Sequence, residues 1–240
     1  MLTGALALGG LSSAAAKDWT GVYAGASVGF ATDTFAFPYG VNLPGQFLSG
    51  ESAITSRGPL AGIVAGYNHE FGDGIVAGVE LDGSWSDVSG ASTVHGGAAT
   101  VRFATRQLNF ATARLRGGYA LGRFLPYFTA GLTLATAQTS YALTAPPSSV
   151  TAGGGTATRS GFFPHVGVVG LGLEYALTSN FSVKGEYLYD FVNARYAMYE
   201  PAPPTAVGFG TREMYHVARV GLNWKLDQIP MGGSEMDGLR

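Results

Sequence analysis

Eight ionisable residues stand in five short runs of the chain. They are Glu80 and Asp82 in VELDG, Arg114 and Arg116 in ARLRG, Glu174 in GLEY, Lys184 and Glu186 in VKGEY, and Arg219 in ARVG. Where two share a run they are two residues apart. That spacing puts both on one face of a β-strand. Four acids and four bases on inward faces could do one of two things. They could lock into ion pairs that fill an interior, or they could exchange partners as a gate that passes ions or small solutes. A buried charge needs a partner in either case, because stranding one costs about 3–5 kcal/mol.

Other chemistry is thinner. GASVG at 25–29 matches the G-x-S-x-G pattern of serine hydrolases. That motif works only where a strand turns sharply into a helix and exposes the serine. Here it lies inside a strand-like run with no helical run following, so Ser27 is expected to face an interior rather than act as a nucleophile. The histidines His69, His95, His165 and His216 show no metal-ligand spacing, so no metal or cofactor site is expected. His165 and His216 fall near the far rim of their strands and are the candidate rim ligands, haemin being the group such residues would touch. No Ser, His and acid come together in one rim segment, so no enzyme is expected.

The elements that must position these residues are strands. Beyond Lys17 the apolar pattern has period two, and no window sustains helical spacing. Eight strands are expected: Trp19–Ala31, Leu60–Phe71, Ile75–Ser86, Arg106–Tyr119, Phe124–Ala137, Phe163–Ala176, Phe181–Phe191 and Arg212–Leu226. Most exceed ten residues, longer than the ~5–6 of globular strands and matching the ~9–11 of a tilted membrane-spanning strand. Their connections alternate. GDG, LGR and LTSN are tight, whereas 32–59, 87–105, 138–162 and 192–211 are long and rich in Gly, Pro, Ser and Thr. Tight turns at one end and long loops at the other mark an outer-membrane barrel.

Composition agrees. Only 12% of the residues are charged and there are 37 glycines, with no cysteine and a net charge of -2. Low charge with abundant aromatics excludes disorder, the absence of cysteine excludes a disulfide frame, and the near-neutral balance gives no footing for nucleic acid. The inward parity is mostly small, as in Tyr23, Gly25, Ser27, Gly29 and Gly62, Val64, Gly66, Asn68, which suits the narrow lumen of eight strands. Aromatics gather at strand ends. Trp19, Tyr67, Phe71, Tyr119, Phe124, Tyr175, Phe181 and Trp224 lie beside the tight turns, and Phe30, Trp85, Phe163, Tyr189, Phe191 and Tyr215 at the opposite ends. They are expected to form two interfacial girdles. Before Lys17, residues 1–16 read as a signal peptide with small residues before the cut; residues 17–226 form the barrel, and 227–240 a short polar tail.

The segments DWTGVYAGASVGF, AGYNHEFGDGIVAGVELDGSWS, ATARLRGGYALGRFLPYFTAGL, VGLGLEYALTSNFSVKGEYLYDF and HVARVGLNWKL, taken in order, resemble the small outer-membrane surface proteins of alphaproteobacteria, the porin-family or outer-membrane β-barrel domain proteins. These are similar to the transmembrane domain of OmpA. The resemblance spans about residues 18–226. It implies an all-β, eight-stranded, antiparallel up-and-down transmembrane barrel in the outer membrane of a Gram-negative cell envelope. Its implied partners are outer-membrane lipid and lipopolysaccharide, and haemin for some members. The chain departs from the pattern at its end, where Leu226 stands in place of a closing aromatic and DQIPMGGSEMDGLR follows.

The expectation is then a non-enzymatic, monomeric barrel protein with a structural and surface role, its loops extracellular and its termini periplasmic. The alternative is a narrow small-solute channel or a haemin-binding surface protein. By parity and distance from the tight turns, Glu80 is expected to meet Arg114, Glu186 to meet Arg219, and Glu174 to meet Lys184.

Overall fold

The structure, a computed structural model, describes residues 18–43, 46–96, 99–144, 153–194, 207–209 and 211–226. The expected signal peptide and polar tail lie outside the described residues, as does the proline-rich segment at 201–204.

Each strand forms where side chains alternate between small or polar and large apolar. The elements are β1 (Gly21–Leu43), β2 (Gln46–Glu70), β3 (Ile75–Gly96), β4 (Ala99–Tyr119), β5 (Phe124–Thr144), β6 (Gly153–Ala176), β7 (Phe181–Ala194), β8 (Val207–Phe209) and β9 (Thr211–Lys225). Every pairing is antiparallel. Chain neighbours pair with one another from β1 to β7, β9 pairs with both β7 and β1, and the short β8 adds to the far end of β1. Eight strands thus close into a ring that leaves no edge in the hydrocarbon, where every backbone N–H and C=O must find a partner within the protein.

Closure has a definite stagger. Following paired residues from Gly21 through Asn68, Gly78, Arg116, Thr129, Gly170, Leu188 and Val217 returns to β1 at Ala31, ten residues past the start. With eight strands, that shear sets a tilt of roughly 40° and leaves a lumen that side chains can fill. The tight turns lie at 71–74, 120–123 and 177–180, and Gly74 and Gly122 take the positive φ (83° and 64°) that two of them require.

The wall is apolar outside and polar inside. Val28, Ile63, Leu81, Leu115, Leu171 and Val220 are each more than half exposed, while Glu80, Arg114, Lys184 and Arg219 are buried. Water would penalise such an outer surface at about 25 cal/mol per Å2; a bilayer does not. The aromatics beside the tight turns form a band, with Phe181 stacked on Trp224 (centroids 6.3 Å apart) and Phe124 tilted against Tyr175 (4.7 Å).

Three expectations change. Trp19 and Tyr215 do not join the girdles, because both side chains turn inward and are buried. Trp19 precedes the first paired residue and packs against Val76, Leu125 and Ala176 at the barrel end, its backbone N–H donating to Glu70 Oε2 at 2.8 Å; Tyr215 shares the inward parity of Arg219. The connections at 32–59, 87–105 and 138–162 also prove to be largely strand where the structure describes them. β1 and β2 stay paired to Leu43↔Gln46, and β3 and β4 to Gly96↔Ala99. Beyond the bilayer the outer face meets water, so the apolar/polar alternation that reveals a strand fades while backbone pairing continues. Pro38 fits this extension because it falls where β9 has released β1 and β8 has not yet joined it, so no ladder hydrogen bond is lost on that side.

Glycine spacing gives a test of the wall. A β-carbon on Gly131 would collide with the Ala113 carbonyl and lie 2.7 Å from the Arg114 Cα, whereas one on Gly117 would meet nothing within 4 Å. Gly131→Val should cost about 1–3 kcal/mol and reduce the compact, unboiled band on gels. Gly117→Val should leave that band unchanged.

Candidate functional site

The site is the barrel lumen at the height of the eight charged residues. Glu80 and Asp82 come from β3, Arg114 and Arg116 from β4, Glu174 from β6, Lys184 and Glu186 from β7, and Arg219 from β9. All are buried. Four carry positive charge and four negative, so the cluster is formally neutral.

Glu80 is the hub. It accepts from an Arg114 guanidinium nitrogen, from Lys184 Nζ at 2.8 Å and from the Tyr23 hydroxyl at 2.8 Å. Arg114 reaches onward to Asp82 at 2.9 Å and to Glu186 at 2.8 Å. Arg219 joins the same two acids, Asp82 at 3.1 Å and Glu186 at 2.6 Å, and Thr112 Oγ1 donates to Asp82 at 2.5 Å. Nearer the tight turns, Arg116 donates to Glu174 at 2.8 Å, and Glu174 also accepts from Ser182 (2.5 Å) and Asn223 (3.0 Å). The Arg116 guanidinium lies 3.9 Å from the centroid of the Tyr127 ring, a cation–π contact.

Glu80 with Arg114, and Glu186 with Arg219, therefore meet in the expected pairs. Glu174 and Lys184 do not. They are register partners on β6 and β7, yet Lys184 crosses to Glu80 and Glu174 turns to Arg116. Lys184 has four methylenes with which to span a narrow lumen, and Glu174 is met by Ser182 on the next strand and by Arg116 and Asn223 from two strands away on either side.

Two tyrosines complete the lattice and were not singled out as site residues. Tyr23 lies in register with Gly66, and Tyr127 with Gly172. A β-carbon on either glycine would run into the facing tyrosine ring. Each glycine is therefore a slot over which a tyrosine leans. The Tyr127 hydroxyl then donates to Glu186 at 3.1 Å, and Tyr23 serves Glu80 and accepts from Arg116 at 3.0 Å. The available signal was a large inward residue opposite a glycine on the next strand.

Apolar layers bound the lattice at both ends. On the tight-turn side Trp19, Val76, Leu125 and Ala176 pack together. On the other side Leu60, Val88, Phe110, Val168, Leu188, Tyr215 and Val217 pack around Ala31, with Phe110 and Tyr215 edge to face at 5.6 Å. Sequence parity places these residues inward but does not show that they gather into two lids.

The remaining candidates lie apart from the lattice. Ser27 is buried mid-strand in β1 between Gly62 and Gly221. His216 lies on the outer wall with its Nδ1 2.6 Å from the Tyr187 hydroxyl and its ring 5.0 Å from that of Tyr189. His165 belongs to β6, but its side chain lies outside the described residues. His69 packs edge to face on Phe71, and His95 is within 3.2 Å of Thr100 Oγ1. Among the described residues, no three His, Cys, Asp or Glu side chains gather into a metal-binding group.

Comparison with known proteins places this geometry in context. The chain is 30% identical to the 31 kDa outer-membrane immunogenic protein of Brucella melitensis over 210 residues, 86% of this chain and 83% of the relative. The Brucella suis protein of the same name matches equally. Among solved structures, OprG from Pseudomonas aeruginosa aligns with 88% of this chain and 98% of its own at 16% identity and a TM-score of 0.47. Neisserial surface protein A aligns with 82% and 96% at 15% identity and a TM-score of 0.33. The family of outer membrane protein beta-barrel domains matches residues 2–225, nearly the whole ring of strands and every charge in its lumen, and the chain belongs to it.

Proposed function

We propose that this protein is a non-conducting, non-enzymatic structural barrel of the outer membrane, with its tight turns in the periplasm and its long hairpins displayed at the cell surface. One observation carries the reading: a neutral lattice of eight charges, each with an ion-pair partner, held between two apolar lids. An ion crossing the lumen would have to pass one lid, displace buried ion pairs, where each stranded charge costs several kcal/mol, and then pass the other lid. Ser27 packs inside the wall and is assigned no chemistry. The display of β1–β2 and β3–β4 beyond the bilayer suits a surface antigen, the property for which the Brucella relatives are named.

Planar-bilayer recording tests the seal. The purified barrel should give no stable current steps in molar KCl. A reproducible unitary conductance that Glu186→Gln or Arg219→Ala alters would favour a gate instead.

Stability tests the lattice. Glu186 accepts from Arg114, Arg219 and Tyr127, so Glu186→Gln should cost about 3–5 kcal/mol, read as a lower urea midpoint in micelles. The double change Glu186→Met with Arg219→Met keeps the lumen neutral and should cost less than Glu186→Gln alone.

Topology is tested by tagging. An epitope placed at 44–45, between paired Leu43 and Gln46, should be stained on intact cells. One placed at Gly72–Asp73 should be stained only after permeabilisation. The reverse pattern would invert the assignment.

A further inference from the structure

One part of the outer wall holds a trough among its apolar side chains. Across β2, β3, β4 and β5 a single register row reads Ile63, Gly83, Ala111, Leu134. The order is large, small, small, large. Ile63 and Leu134 stand well exposed, and a β-carbon on Gly83 would meet nothing within 4 Å. The row forms a trough of about 420 Å3, continued by Ala113 and bordered along β3 by Leu81 and Trp85. β2 and β5 are three strand spacings apart, about 14 Å, which leaves a bed about one hydrocarbon chain wide between their side chains.

Above the trough, on the hairpin side, lies a second row on the same wall. Ser89 of β3 pairs with Arg57 of β2 and with Arg106 of β4, so two guanidinium-bearing residues flank one hydroxyl. All three are exposed. Arg106 also contacts Asp87 at 2.9 Å, and the cluster of Arg57, Arg106 and Asp87 keeps one net positive charge. At about 3.3 Å per residue and a tilt near 40°, Ser89 stands about 15 Å above Gly83.

We propose that this face is a lipid site: it seats one acyl chain of a phosphorylated, multiply acylated outer-leaflet lipid of the lipid A class in the trough, with a phosphate held by Arg57, Ser89 and Arg106. The two halves argue for one molecule. An apolar trough within the hydrocarbon layer gains contacts only when an apolar chain fills it. Two arginines beside a hydroxyl suit a phosphate, which the guanidinium fork binds with charge-assisted hydrogen bonds. Their separation along the wall matches the offset between a lipid's headgroup and the middle of its chain. Assignment to the outer leaflet rests on the proposed topology, with the hairpins outside.

Native mass spectrometry of the intact barrel released from micelles tests the site. The probes are bis-phosphorylated lipid A, its dephosphorylated form, and phosphatidylethanolamine. The wild type should retain one lipid A, and about tenfold less of either other lipid. Gly83→Leu adds bulk to the trough from a position whose β-carbon is free of contacts, and Arg57→Ala with Arg106→Ala removes the phosphate grip; each should cut lipid A retention about tenfold while the compact unboiled gel band persists. Arg57→Lys with Arg106→Lys should restore part of the retention. Equal retention by wild type and both variants, or equal retention of all three lipids, overturns the proposal. Micelles present both ends of the barrel alike, so a failed lipid test is separable from a failed topology test.

Discussion

Mutual neutralisation of buried charge governs this barrel. Glu80, Asp82, Glu174 and Glu186 meet Arg114, Arg116, Lys184 and Arg219 inside the lumen, all of them buried. Five strands share the eight charges, β6 supplying Glu174. β3 supplies two acids and β4 two bases, while β7 carries one of each and β9 a base. The β3–β4 pair and β7 balance among themselves, so the full count closes only when Arg219 of β9 offsets Glu174 of β6. Such a lattice adds less to stability than its list of contacts suggests, since desolvation offsets much of the Coulomb attraction. It does penalise every register that leaves a member unpaired.

The rest of the lumen accommodates this level. Glycines at Gly66 and Gly172 open room for the rings of Tyr23 and Tyr127, which deliver hydroxyls to Glu80 and Glu186. Apolar residues pack at both ends of the charged level, and the low dielectric of a buried site strengthens satisfied pairs and makes broken ones costly. Outside, the requirement is only that the wall resemble its solvent. Its side chains vary widely in size, and the row from Ile63 to Leu134 is one result.

Much of this was legible in the sequence, for definite reasons. Period two is a local property, so the inward parity of Glu80, Asp82, Arg114, Arg116, Glu174, Lys184, Glu186 and Arg219 could be read strand by strand. Tight turns could be read from GDG, LGR and LTSN. Pairing across the lumen was less legible, because a tilted wall brings together residues far apart in the chain. Arg114 meets Glu186 across the barrel, which counting from the turns does not reveal, and Lys184 bypasses its own register partner. Trp19 was misplaced because an aromatic at a strand end has the same composition signal whether it points to the interface or folds across the opening. The hairpin extensions were hidden because strands above a bilayer lose the contrast between faces that reveals them within it.

Arg219 has a consequence for how the barrel is made. It is carried by the last strand of the ring, and its guanidinium meets Asp82 and Glu186 from the side of the β1–β9 seam. A chain inserted up to β7 would hold four carboxylates against three cations, an unbalanced interior that a bilayer disfavours. Docking β9 closes the backbone seam and cancels the last charge in the same step. Insertion thus has an electrostatic latch: the intermediate is held back from completion until its final strand arrives, and once that strand is seated, reopening the seam means separating charge in a dry lumen.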